Sequence, residues 1–175
     1  MLGLTIPASL VLACIVVVVA AAWDLKTRTI PNALTYGALI LGLATALVAG
    51  SFGSSLLGVA VAGGSGLVLY ALRAMGGGDV KLLAAIGSLL GYPLTMDLLF
   101  FSVLFGGAWA IFALCWQGAM LRTLKELWLL VRSLIYPKIP LFVPAQGVHI
   151  AGGAVIAAAT LWITVSMAVG ASALV

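Results

Sequence analysis

The sequence predicts an all-α, polytopic membrane protein with about six transmembrane helices and one amphipathic interfacial helix. Of its 175 residues 65% are hydrophobic and 7% charged, with a mean hydropathy of +1.32, which is more apolar surface than a water-soluble core can hide. The apolar residues also fall into runs close to the ~20 residues that a ~30 Å hydrocarbon core demands. Finally, the eight Lys and Arg residues collect between those runs in three groups. One membrane-embedded domain covering residues 1–175 is the expected organisation.

The first span is expected from about Ile6 to Trp23. No Lys or Arg precedes it, so it lacks the charged start of a secretory signal and is read as retained. The second runs from about Ala33 to Ala49 and the third from about Leu56 to Leu72. Leu82 to Leu90 alone is too short for a fourth, which therefore has to begin near Gly78 and end near Tyr92 or Thr95. This puts Asp79 in its first turn. The fifth runs from about Leu98 to Trp116 and the last from about Val148 to Val169.

Between the last two, about residues 118–136 have helical period. Leu124, Leu127, Trp128, Val131, Leu134 and Ile135 fall on one side, and Arg122, Lys125 and Arg132 on the other. Such a helix lies in the interface with its basic face toward anionic headgroups. Pro137, Pro140 and Pro144 end it.

Lys26 and Arg28 form the first basic group, Arg73 and Lys81 the second, and Arg122, Lys125, Arg132 and Lys138 the third. With six spans these groups occupy alternate loops, and the loops around Gly50–Ser55 and Pro93–Asp97 carry no Lys or Arg. The positive-inside rule then makes the basic face cytoplasmic and puts both termini outside. Asp24 and Asp79 fall on the cytoplasmic side and Asp97 on the other. Cys14 and Cys115 lack the paired spacing of a zinc site and are read as buried thiols packing as small hydrophobes. No metal, cofactor or nucleic-acid partner is expected.

Two of the four acidic residues stand beside backbone breakers. Asp24 is expected to end the first span, followed by an extended hinge in which Pro31 disfavours helix at Ile30 and Asn32 caps the next helix. Asp79 follows Gly76-Gly77-Gly78, which let the backbone approach a partner closely. The bland readings are an ion pair of Asp24 with Lys26 or Arg28, and a helix N-terminal acid at Asp79 pairing with Lys81. Taken together they explain less well why both acids sit beside a breaker at one membrane face, where a carboxylate is costly.

The hinge Asp24-x-x-x-Arg28-x-Ile30-Pro31-Asn32, followed by Gly76-x-Gly78-Asp79 and Lys81, resembles the paired aspartate motifs of the type IV prepilin peptidases. Within them it is similar to the small single-domain members of tight-adherence (Flp-type) pilus systems. The resemblance implies an aspartic endopeptidase of the bacterial inner membrane that removes the basic leader of pilin or pilin-like precursors at the cytoplasmic face. It implies Asp24 and Asp79 as the catalytic pair, with Arg28, Pro31, Asn32, Gly76, Gly78 and Lys81 binding substrate or supporting the site. The four-cysteine cytoplasmic insertion of the longer, bifunctional members is missing between the first two spans, which puts their N-methyltransferase activity in doubt here. Gln146 and His149 stand where apolar residues are expected at the start of the last span.

Two carboxylates sharing a site do not both ionise easily, so one holds a proton and the pair can act as both base and acid. Two other classes are open to such a chain: a non-catalytic membrane subunit of a pilus or secretion assembly, and a small ion or proton transporter using the two aspartates. The transporter favours further polar groups across the midplane, where these spans are nearly empty of them.

Overall fold

The computed structural model describes residues 8–27, 29–72, 75–118, 121, 123–125, 128–129, 132 and 152–172. Among them every regular element is helical: α1 (Ala8–Thr27), α2 (Asn32–Val48), α3 (Phe52–Ala71), α4 (Gly77–Leu90), α5 (Leu94–Trp116) and α6 (Gly152–Ser172). The chain divides into two units, one of Met1–Phe105 with Ala151–Val175, the other of Gly106–Ile150.

In the first unit α4 is the hub. It packs against α1, α2, α3 and α6. Eight of its 14 residues are buried, so a neighbour covers almost every side of it. Leu82, Leu83 and Ile86 share one core with Val16, Val17 and Ala20 of α1 and with Ile156, Ala159 and Ile163 of α6. At a rise of 1.5 Å per residue, α4 is only about 21 Å long. It starts at Gly77 and is stopped at Gly91, whose φ of 67° takes the chain out of the helical region.

Close packing at the C-terminal half of α4 depends on missing side chains. A Cβ on Gly58 of α3 would run into the Gly87 carbonyl, and one on Gly42 of α2 into the Ser88 hydroxyl. Small residues let helix backbones come this near in a lipid solvent, where apolar burial alone gives no preference for association. Polar groups finish the contact. Ser55 donates to the Ser88 carbonyl at 2.6 Å, and Ser54 donates to the Tyr92 carbonyl at 2.7 Å.

The helices alternate in direction. Cys14 of α1 lies 3.1 Å from the Thr164 hydroxyl of α6, while Asp24 meets Gly153, so α1 and α6 run antiparallel. Lys81 of α4 bonds Asn32 of α2, and Gly78 meets Ile30. Gly77 lies beside Tyr70 of α3. The C-terminal ends of α1 and α3 and the N-terminal ends of α2, α4 and α6 therefore share one end of the unit. The Ser54–Tyr92 contact marks the other end.

Among the described residues, three helices are long and apolar enough to cross a membrane: α1, α3 and α5. Shorter apolar helices are Asn32–Val48 and, within α6, Gly153–Met167.

In the second unit α5 continues from Gly106 to Trp116. Trp109, Phe112 and Trp116 form a ladder with ring centroids 5.9 and 6.0 Å apart. A cleft of about 240 Å³ lies along it, lined also by Ala113 and Gln117. The chain turns at Gly118, with φ 63°. Of the interfacial helix expected at about 118–136, Leu121, Thr123–Lys125, Trp128, Leu129 and Arg132 are helical. Arg122, Leu127, Val131, Leu134, Ile135 and the three prolines beyond lie outside the described residues, as do Gln146 and His149. One expectation fails here, because Cys115 is exposed rather than buried. The half-buried Cys14, by contrast, meets α6.

Candidate active site

Asp24 does not end its helix. α1 continues through Leu25 and Lys26 to Thr27, whose hydroxyl closes the last turn by donating to the Trp23 carbonyl at 2.9 Å. Leu and Lys are good helix formers, so nothing in this stretch ends the helix at Asp24. Asp24 is half-buried, with its carboxylate against the start of α6. A Cβ on Gly153 would stand 3.1 Å from Asp24 Oδ2, so a glycine there leaves the carboxylate its room.

Asp79 is the third residue of α4, as expected, and is also half-buried. Gly76 occupies the cap position without a side chain to cap the helix. Asp79 Oδ2 leans back over it, 3.3 Å from where a Gly76 Cβ would be. An acid at this position favours the positive end of the helix dipole. Gly77 and Gly78 have more room: a Cβ would meet Tyr70 at 3.6 Å and Ile30 at 3.5 Å.

Asn32 departs from expectation. Pro31 holds the cap position of α2, with φ −61° and ψ 131°, and no side chain caps the helix. Asn32 is the first helical residue, and its carboxamide oxygen accepts instead from Lys81 Nζ at 2.8 Å. The Lys81 ammonium also stands 5.4 Å from the centre of the Tyr36 ring. A cation over an aromatic face is attracted by the ring quadrupole.

Asp24 and Asp79 therefore lie at the same end of the first unit, on helices that pack against each other and against α6. Of the supporting residues, Pro31, Asn32, Gly76, Gly78 and Lys81 gather at this end, while Arg28 is outside the described residues. Among the described residues no three His, Cys, Asp or Glu cluster as metal ligands. Gly153 and Tyr36 escape a reading of the sequence. The Gly152-Gly153 pair opening the last span was a signal for the first, and Tyr36 at i+4 from Asn32 for the second.

Residues 11–111 match the model of the type IV leader peptidase family. The chain belongs to that family. No curated protein and no solved structure matches it. As a member of the type IV leader peptidase family it is a leader peptidase-like protease, and its apolar helices accord with a membrane protein. The family match takes in both aspartates and the hinge, and ends within α5. α6, which supplies the glycine against Asp24, lies beyond it.

Proposed function

We propose that this leader peptidase is an aspartic endopeptidase of the bacterial inner membrane, removing the basic leader of pilin or pilin-like precursors, with Asp24 and Asp79 as its catalytic pair. One observation carries the reading: the family match spans both aspartate motifs, and both acids stand at one end of mutually packed helices. In this reading the deprotonated carboxylate takes a proton from water as the water attacks the scissile carbonyl. The protonated partner gives its hydrogen bond to the carbonyl oxygen. No covalent intermediate forms, and the pair titrates as a unit, so neither aspartate has a fixed role. The glycines before Asp79 leave space for an extended peptide beside it.

Six spans with the aspartate end facing the cytoplasm complete the proposal, along with both termini outside and a basic interfacial helix on anionic headgroups. The positive-inside distribution of Lys and Arg supports this orientation. Leader removal alone is proposed, with no methyl transfer.

Asp24→Asn and Asp79→Asn, each co-expressed with a small pilin precursor, test the chemistry. Each variant is expected to insert normally and to lose the leader-sized mobility shift, and the double variant to be no worse, because half a pair performs neither half of the reaction. Intact cleavage by both single variants would overturn the assignment. The orientation is tested in a background lacking Cys14 and Cys115. A cysteine at the exposed Gly53 is expected to react with an impermeant thiol reagent from outside, and one at the exposed Lys26 only once the cytoplasmic face is opened. The reverse pattern would put the aspartates on the other side.

A further inference from the structure

We propose that Lys81 is a positioning residue: by reaching from α4 to Asn32 and Tyr36 of α2, it fixes the glycine-built first turn that carries Asp79, and it does not bind the precursor. The inference rests on the peptidase reading above for its effect on rate. Its geometric basis is separate. Asn32 and Tyr36 are four residues apart and so lie on one face of α2. Lys81 Nζ engages both, one through a 2.8 Å hydrogen bond and the other across 5.4 Å to the ring centre.

Lys81 lies two residues after Asp79, about 200° further around the helix at ~100° per residue. The lysine thus leaves α4 on the side away from the aspartate, pointing into α2. On the α3 side this turn is held by the buried Val80, which packs against Gly66. Gly76, Gly77 and Gly78 carry no side chains, and no side chain caps the helix. Glycine has the most backbone freedom to lose on ordering, so a three-glycine start frays unless something beyond it is held. Lys81 adds a polar tie from this turn to α2. Its ammonium has three donors, of which Asn32 takes one in good geometry. The α2 end is held in turn, since Leu34 and Thr35 donate to the Pro31 carbonyl at 3.1 and 3.3 Å. The hinge thus reaches the Asp79 turn through Asn32 and Lys81 as well as through Ile30, which stands beside Gly78.

The test uses purified full-length protein in detergent with a synthetic precursor peptide. Lys81→Met keeps the length and removes the charge, Lys81→Arg keeps a donor and a cation that stacks on an aromatic ring, and Asn32→Leu removes the acceptor. For Lys81→Met, kcat is expected to fall by about a hundredfold, the scale of a misplaced reacting group, with KM unchanged. Lys81→Arg should recover most of that loss. Asn32→Leu should resemble Lys81→Met, and the two combined should be no worse than either. A rise in KM at constant kcat would make Lys81 a substrate contact and overturn the proposal, as would an Asn32→Leu variant that behaves like wild type.

Amide hydrogen exchange gives a readout independent of cleavage. In Lys81→Met, exchange at Val80 and Lys81, the first amides bonded within α4, is expected to rise about tenfold while that at residues 83–89 stays constant. An even rise along α4 would mean general loosening and defeat the proposal. If wild type cuts no precursor but the local rise is seen, the peptidase reading fails and the Lys81 contact stands. If wild type cuts and neither kcat nor exchange responds, the contact fails and the peptidase reading stands.

Discussion

The two ends of α4 are both rich in glycine and use it in opposite ways. Toward its C-terminus, Gly87 is pressed against Gly58 of α3, Ser88 against Gly42 of α2, and hydrogen bonds from Ser54 and Ser55 close the gaps. There the absent side chain is replaced by a neighbouring helix. Toward its N-terminus, Gly77 and Gly78 have space for a Cβ at ordinary contact distance, and Asp79 stands beside that space. There the absence is kept open. One end fixes where the helix sits by backbone contact, and the other keeps room beside Asp79.

Substitution should separate the two. The largest effect is expected at Gly87→Val. Its Cβ would lie 2.9 Å from the Ala62 Cβ and closer still to the Gly58 carbonyl oxygen, so α3 and α4 are forced apart at about 3 kcal/mol or more. Membrane abundance by immunoblot should collapse, and normal abundance would show that the glycine contact does not hold the helices. Next comes Gly78→Val, where the nearest atom to a new Cβ is 3.5 Å away on Ile30. Its abundance is expected to stay within about twofold while precursor cleavage falls by about a hundredfold, since a β-branched side chain takes the space beside Asp79. Equal loss of both would mean the open end is a packing site after all. The smallest effect belongs to Ser55→Ala, which removes one buried 2.6 Å hydrogen bond at the packed end and should cost about 1 kcal/mol. The melting temperature in detergent is expected to fall by a few degrees with the cleavage rate unchanged at saturating precursor.

What the sequence made legible follows the same division. Hydropathy located the helices of the first unit because lipid length and side-chain polarity are local properties. The two aspartates stood out for the same reason, each next to a proline or glycine run that any reader meets within a few residues. The extension of α1 past Asp24 was missed because the polar Lys26 and Thr27 look like a loop in a hydropathy profile although nothing in them breaks a helix. Asn32 was misread as a cap because that is its commonest use before a helix. Its actual partner is Lys81, 49 positions away, and no local pattern encodes such a pair. The Gly152-Gly153 pair is visible in the sequence but its place beside Asp24 is not, being set only by the antiparallel packing of α1 and α6.

The shortness of α4 has a consequence for the bilayer around it. α1 and α3 have 20 residues each, about 30 Å, and flank a helix about 21 Å long. Centred among them, α4 stops roughly 4–5 Å short of their ends on each side. Asp24 is three residues, about 4.5 Å, in from the end of α1. Asp79, the third residue of α4, then lies about 7–8 Å in from those ends, a little deeper than Asp24. In the proposed reaction a scissile bond has to pass the ends of the longer helices to reach these carboxylates. On the proposed function, acyl-chain length is therefore expected to change turnover, through the cost of matching a helix bundle to its membrane.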